Sequence, residues 1–282
     1  VWEGIRVTTV VPVISRLKLG RVLRELRNLA GLTLEQCEAD LDLSSSTLGR
    51  VENGQQNIHP MIVRAMLELY HAPMGEWEEI LELAREARKR TDWQMLGVAA
   101  QAYVVMESEA VGVRNFEPAF VPGLLQTEDY AREVFGLDSS GTRRRNLAIR
   151  LKRRERLTGA NPLALQAIVD ESALRRPIGE PSVRREQLDY LVEQAQLPNV
   201  AIRVLPISLG ASLGMRGAFS VLRFPPDSIT DIGYVEHAAG SLQIIKPEQV
   251  SGLSHQFHKI EVTALPEAES LSLITRIARQ IH

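Results

Sequence analysis

The stretch from residue 17 to 72 constrains this chain more than any other. Leu19, Val22, Leu23, Leu26 and Leu29 recur at three- and four-residue spacing, which predicts a helix from about Leu17 to Ala30 with one apolar stripe. Gly31 ends it, as a left-handed C-terminal residue does. Thr33 and Ser44 each stand one residue ahead of a new apolar-periodic segment, where a side-chain oxygen can accept from the free N–H groups of a first helical turn. The second helix carries Leu34, Cys37 and Leu41. The third carries Leu48 and Val51 and stops at Asn53-Gly54. Pro60 opens a fourth helix through His71, and Pro73 separates it from a fifth, Gly75 to about Arg90. Two short helices joined through Asp42-Leu43 make a helix-turn-helix, the unit that lays its second helix in the DNA major groove.

In such a unit the first residues of the third helix meet base edges while the second helix crosses the backbone. Here they are Ser45, Ser46 and Thr47, with Arg50 one turn later. Short hydroxyl side chains donate to bases or phosphates, and the Thr47 methyl suits thymine. None of the three makes the bidentate contact to guanine or adenine that gives ~1–3 kcal/mol of discrimination. Arg50 is therefore the leading candidate for guanine or phosphate. Asn53, Gln55 and Gln56 can fix register on phosphates without reading sequence, as can Thr33 and Ser44 at the helix starts.

Charge gives this unit little help. Its cations are Lys18, Arg21, Arg24, Arg27, Arg50 and Arg64. Its acids outnumber them by one: Glu25, Glu35, Glu38, Asp40, Asp42, Glu52 and Glu68. Formal net charge for the whole chain is −2. Affinity for DNA rests largely on neutralising phosphates, so one copy binds weakly and a homodimer on a two-fold operator is expected.

At 282 residues the chain is long enough for two domains on a rough prior of ~150 residues each. Its 44% hydrophobic and 24% charged residues are those of an ordinary globular protein. Apolar runs stay far below the ~18 residues that span a bilayer, and the first residues lack the pattern of a secretory signal. A single cysteine, Cys37, excludes an internal disulfide and fits a reducing cytoplasm.

Residues 1–15 lack helical periodicity and read as a flexible leader; 16–90 form the helical domain, and 91–110 a helical connector. From 111 to 282 the texture changes. β-rich runs are predicted at Val111–Glu117, Leu165–Asp170, Val200–Leu205, Ala218–Phe224, Ile232–His237 and Leu242–Ile245. Helices fall between them at Leu124–Phe135, Thr142–Thr158, Ser182–Ala195, Pro247–Thr263 and Glu267–Ile281. The expectation is a multidomain chain: an all-α helix-turn-helix domain followed by a mixed α/β (α+β) domain.

Residues 17–72 resemble the DNA-binding domain of the xenobiotic-response-element class, relatives of phage repressors and Cro. The rest resembles the domain that follows such a unit in actinobacterial WhiJ-like, antitoxin-like regulators. The matching segments are Val121-Pro122-Gly123-Leu124-Leu125-Gln126-Thr127, Asp129 to Arg132, and Arg150 to Thr158. They continue through Asp170 to Gly179, Val204-Leu205-Pro206 and Tyr234-Val235-Glu236. The resemblance implies a transcriptional regulator, often accompanied by a small partner protein, and supplies no ligand for the second domain. It also implies a structural ion pair between Arg27 and Glu52. Three positions depart from the pattern: Glu38 replaces a small residue, Asp42 a turn glycine, and Leu34 a phosphate-binding glutamine. Glu38 is expected to tilt to solvent or pair with Arg50, and Asp42 tolerates a left-handed backbone.

The helix Thr142–Thr158 is strongly basic. Its Arg143, Arg144, Arg145, Arg153 and Arg154 offer a surface for DNA or an acidic partner, or else a solvated face paired with acids of the same domain. Gln126 or Thr127 is expected to cap a helix. The glycine-rich run Leu209–Gly217 lacks the spacing of a phosphate loop and reads as a mobile surface loop. His255, His258 and Glu261 share a spacing but no further ligand, Cys37 sits at a core position, and Asp170-Glu171 suits an ion pair with Arg175 or Arg176. No cofactor, metal or catalytic set is expected. The reading is a cytoplasmic regulator that binds double-stranded operator DNA; the alternative is a module that sequesters a small partner protein.

Overall fold

The computed structural model describes residues 12–89, 102–136, 143–225, 229–237 and 240–281. They fall into two compact units that meet in sequence between Glu109 and Ala110.

The first unit is helical. Helix α1 spans Pro12–Leu29, α2 Leu34–Leu41, α3 Ser45–Glu52, α4 Pro60–Leu69 and α5 Trp77–Ala87. A 3-10 turn at Met74–Glu76 precedes α5, and α6 spans Ala102–Glu109. The start of α1 corrects the expected leader: residues 12–15 are already helical, because a first turn has no use for the N–H that Pro12 lacks. Residues 1–11 of that leader, and 90–101 of the expected connector, lie outside the described residues.

Leu19, Leu23 and Leu26 bury the stripe of α1 against Cys37, Leu48, Val51, Val63, Met66, Leu67, Ile80 and Ala84. Leu29 does not belong to it and is 85% exposed. At about 100° per residue it is rotated roughly 80° from the stripe's centre, and Ala30 takes the inward place. Gly31 adopts φ +72°, and the Leu32 N–H reaches back to the Arg27 carbonyl at 3.2 Å, so α1 closes as its sequence predicts.

The second unit is a six-stranded sheet flanked by helices. Its strands are β1 Gly112–Glu117, β2 Ala164–Asp170, β3 Val200–Leu205, β4 Phe219–Arg223, β5 Ile232–His237 and β6 Gly240–Ile244. Their spatial order is β3-β2-β1-β4-β5-β6. The first three run parallel, and β4, β5 and β6 join antiparallel. The multidomain α then mixed α/β class is therefore the fold. Helices α7 (Glu128–Gly136), α8 (Arg143–Arg154), α9 (Glu171–Arg175), α10 (Pro181–Gln194), α11 (Pro247–Thr263) and α12 (Glu267–Arg279) complete it. On one core face Phe116 and Phe219 of the sheet meet Phe257 of α11, with ring centroids 6.1 and 6.5 Å apart in sequence of contact.

Two local expectations change. The helix expected from Leu124 is a 3-10 turn at Gly123–Leu125, and α7 begins only at Glu128. The two intervening residues divide the work: Gln126 Nε2 donates to the Val121 carbonyl at 2.7 Å, while Thr127 caps α7 as expected, its Oγ1 accepting from the Tyr130 N–H at 3.3 Å. The run Leu209–Gly217 is not a free loop either. Gly214 is buried, and a Cβ there would lie 2.5 Å from Phe116 Cζ.

Candidate nucleic-acid interface

Helix α2 starts on a reciprocal cap. Thr33 Oγ1 accepts from the Gln36 N–H at 3.3 Å, and Gln36 Oε1 accepts from the Thr33 N–H at 2.8 Å. The turn then passes through Asp42 at φ 51°, ψ 40°, a left-handed residue that aspartate tolerates better than most. Ser44 caps α3 by accepting from the Thr47 N–H at 3.2 Å. Glu38 tilts outward from α2, exposed, and its Oε2 accepts from the Ser45 N–H at 2.9 Å. It does not pair with Arg50. A carboxylate at a helix N-terminus also opposes the positive end of the helix dipole, which stabilises α3.

The back of α3 is held by charge. Glu52 is buried; its Oε1 accepts from Arg27 Nε at 2.6 Å and its Oε2 from Arg27 Nη2 at 2.9 Å. Arg27 Nη1 donates in turn to the Leu32 carbonyl at 2.7 Å. The hydrogen bond to Glu52 raises the Arg27 pKa above its ordinary value. Arg24 joins the same carboxylate at 3.3 Å and donates to Asn53 Oδ1. Sequence reasoning missed Arg24, although its three-residue offset from Arg27 puts it on the same helix face. Asn53 is thereby drawn back toward α1 instead of standing free beside α3.

The front of α3 carries a polar ladder. Ser44 Oγ lies 2.9 Å from Thr47 Oγ1, which accepts from Arg50 Nη2 at 3.2 Å, while Arg50 Nε donates to Gln56 Oε1 at 3.0 Å. Ser44, Ser46, Arg50 and Gln55 are exposed; Ser45, Thr47 and Gln56 are half-buried. Arg21, Arg24, Arg27 and Arg64 all pair with glutamates. Between Arg21 and Arg64, Arg50 alone has no acid partner among the described residues. Its guanidinium is steadied by neutral groups, Gln56 and Thr47. Leu34, half-buried, packs 3.7 Å from where a Gly49 Cβ would stand, which explains an apolar residue at that position.

In the second unit Arg143, Arg144 and Arg145 are exposed on the first turn of α8. Arg153 and Arg154 do not extend that surface. Arg153 is buried, and Arg154 lies 4.6 Å over the Tyr190 ring while its Nε donates to the Tyr190 hydroxyl at 3.1 Å. The cause is helical periodicity: eight to eleven residues on from Arg143–Arg145, the same helix has turned Arg153 inward and set Arg154 against Tyr190 of α10. Glu171 pairs with Arg175 at 2.7 Å, and Asp170 caps α9 by accepting from the Ser172 N–H at 2.9 Å. His258 lies 3.4 Å from Glu261, and no group of three metal-binding side chains occurs among the described residues. Cys37 is buried, which pushes its thiol pKa up. No helix among the described residues is long and apolar enough to cross a membrane.

Residues 18–80 match the family model of a helix-turn-helix domain, and residues 100–276 match that of a domain of unknown function, DUF5753. No curated protein and no solved structure matches the chain.

Proposed function

The chain belongs to the DUF5753 family and carries a helix-turn-helix domain ahead of the family's own; from that premise we propose that it is a sequence-specific DNA-binding transcriptional regulator. It is a Cro and phage-repressor-type protein of the WhiJ-like kind, working in the cytoplasm without a catalytic step. The observation that carries the reading is the front of α3, where Arg50 stands exposed with only neutral partners in a unit whose other arginines from 21 to 64 are ion-paired. One such cation per copy gives weak phosphate contact, so two copies act together on a two-fold operator. The second unit receives a protein or small-molecule signal.

Genome-wide immunoprecipitation supplies the operator, and a gel shift on that operator tests the interface. Arg50→Ala should weaken retention at least about fivefold, in line with ~1–3 kcal/mol for a lost base contact. Log affinity should fall steeply with log salt as phosphate-bound counterions are released. Retention equal to wild type, or a flat salt response, would falsify the reading.

The exposed Arg143–Arg145 turn favours a second reading, an antitoxin-like module that holds a small acidic protein while DNA binding is secondary. Under it, reversing the three arginines to glutamate in the full chain releases the partner, and Arg50→Ala leaves the complex intact.

A further inference from the structure

A cleft of about 320 Å³ opens in the second unit between three helices. Leu174 and Arg175 of α9, Arg184 of α10, and Ile277, Gln280 and Ile281 at the end of α12 line it. Leu174, Ile277 and Ile281 are buried and apolar. Two guanidinium groups and one neutral amide complete the walls, and among the described residues no acidic side chain does.

The two cations stand differently. Arg175 Nε and Nη2 both reach Glu171 Oε1 at 2.7 Å, while Glu171 Oε2 is occupied by the Ile207 N–H at 3.0 Å. That carboxylate is fully engaged, which leaves Arg175 Nη1 for the cleft. Arg184 has no such carboxylate among the described residues. Its Nε is buried and meets no hydrogen-bond acceptor among the described residues. A buried charged donor left unmet is costlier than an ordinary lost hydrogen bond, so the site calls for an acceptor. A water satisfies the Arg184 donor, but it does not at the same time use the remaining Arg175 Nη1 or the apolar floor.

Planar guanidinium forks match carboxylate and phosphate oxygens in pairs. The volume falls at the lower end of the ~300–1,000 Å³ usual for small-molecule pockets, which are mostly apolar with a few placed polar groups. We propose that this cleft binds a small organic anion, a carboxylate or phosphate ester on an apolar body, with Arg184 and Arg175 holding the oxygens. The site gives the proposed regulator a place to receive its signal and rests on that reading only for the purpose of binding.

The test is calorimetric titration of the full chain, without DNA, using octanoate, octyl phosphate, octanol and inorganic phosphate as probes. One or both octyl anions should saturate one site per chain, with octanol and inorganic phosphate at least tenfold weaker. Arg184→Gln should weaken the anion at least tenfold and leave the thermal midpoint unchanged, since Arg184 gives up no protein partner. Should that variant fold poorly, Arg175→Gln serves in its place. No saturable binding of either anion, octanol binding as tightly, or Arg184→Gln and Arg175→Gln both binding like wild type overturns the assignment. Because DNA is absent, a negative result leaves the operator reading standing, and a failed gel shift leaves this one standing.

Discussion

The Glu38 carboxylate accepts from the Ser45 backbone N–H at 2.9 Å, closing the start of α3 from the side of α2. Glu38 is thus a second cap beside Ser44. Glu38 also holds a negative charge at the end of the helix proposed to meet phosphates. The two effects separate by substitution. Glu38→Gln keeps an acceptor and drops the charge, so urea unfolding should change by no more than about 0.5 kcal/mol while operator affinity rises several-fold at fixed salt. Glu38→Ala should cost roughly 0.5–1 kcal/mol, the usual worth of a cap. Weaker operator binding by Glu38→Gln in fluorescence anisotropy would count against a DNA-facing α3.

Glu52 is buried between Arg27 and Arg24, so removing one side of the pair strands a charge. Arg27→Ala should lower unfolding stability by about 3 kcal/mol, near the bottom of the range for a broken buried pair because Arg24 remains. The double change Arg27→Met, Glu52→Leu should recover most of that loss. A double mutant no more stable than Arg27→Ala contradicts this account.

Alanine normally gains about 1 kcal/mol over glycine inside a helix. Gly20 should show the opposite sign. A Cβ there would lie 2.5 Å from the Val51 carbonyl oxygen and 2.6 Å from that of Glu52, where α1 crosses the end of α3. Gly20→Ala should destabilise by roughly 1–3 kcal/mol through overpacking and displace α3, with operator binding lost as well. Thermal melts and gel shifts check the two halves separately.

Glu117 ends β1 beside Asn115, and its carboxyl is pushed up to about 7, chiefly by burial and further by Glu236, against the pull of Asn115 and Arg150. A carboxyl whose folded pKa exceeds its unfolded value stabilises fully below the unfolded pKa of about 4.3. That contribution drains away as pH rises from there through about 7. Glu117→Gln should therefore gain on the order of 2 kcal/mol over wild type at pH 8, discounted for partial exposure from roughly 1.4 kcal/mol per unit, and little at pH 4. Parallel urea curves for the two proteins across that range exclude the idea.

Local chemistry made much of this molecule legible. Thr33, Ser44 and Gly31 mark helix ends because caps and left-handed stops act within a few residues. The bounds of β3 and β5 match the predicted runs Val200–Leu205 and Ile232–His237, where apolar β-branched residues end at proline or polar positions. The outward face of α3 followed from the inward pull of Leu48 and Val51. Other features depend on how whole elements rotate against one another. Leu29 faces solvent, Arg153 turns into the core, Asn53 is claimed by Arg24, and Gly214 admits Phe116. The strand order β3-β2-β1-β4-β5-β6 and the placing of Arg175 and Arg184 in one cleft belong to that second group. Periodicity and capping are properties of neighbours along the chain and can be read there. Which side chain meets which across tens of residues is decided by packing, and only the assembled structure holds it.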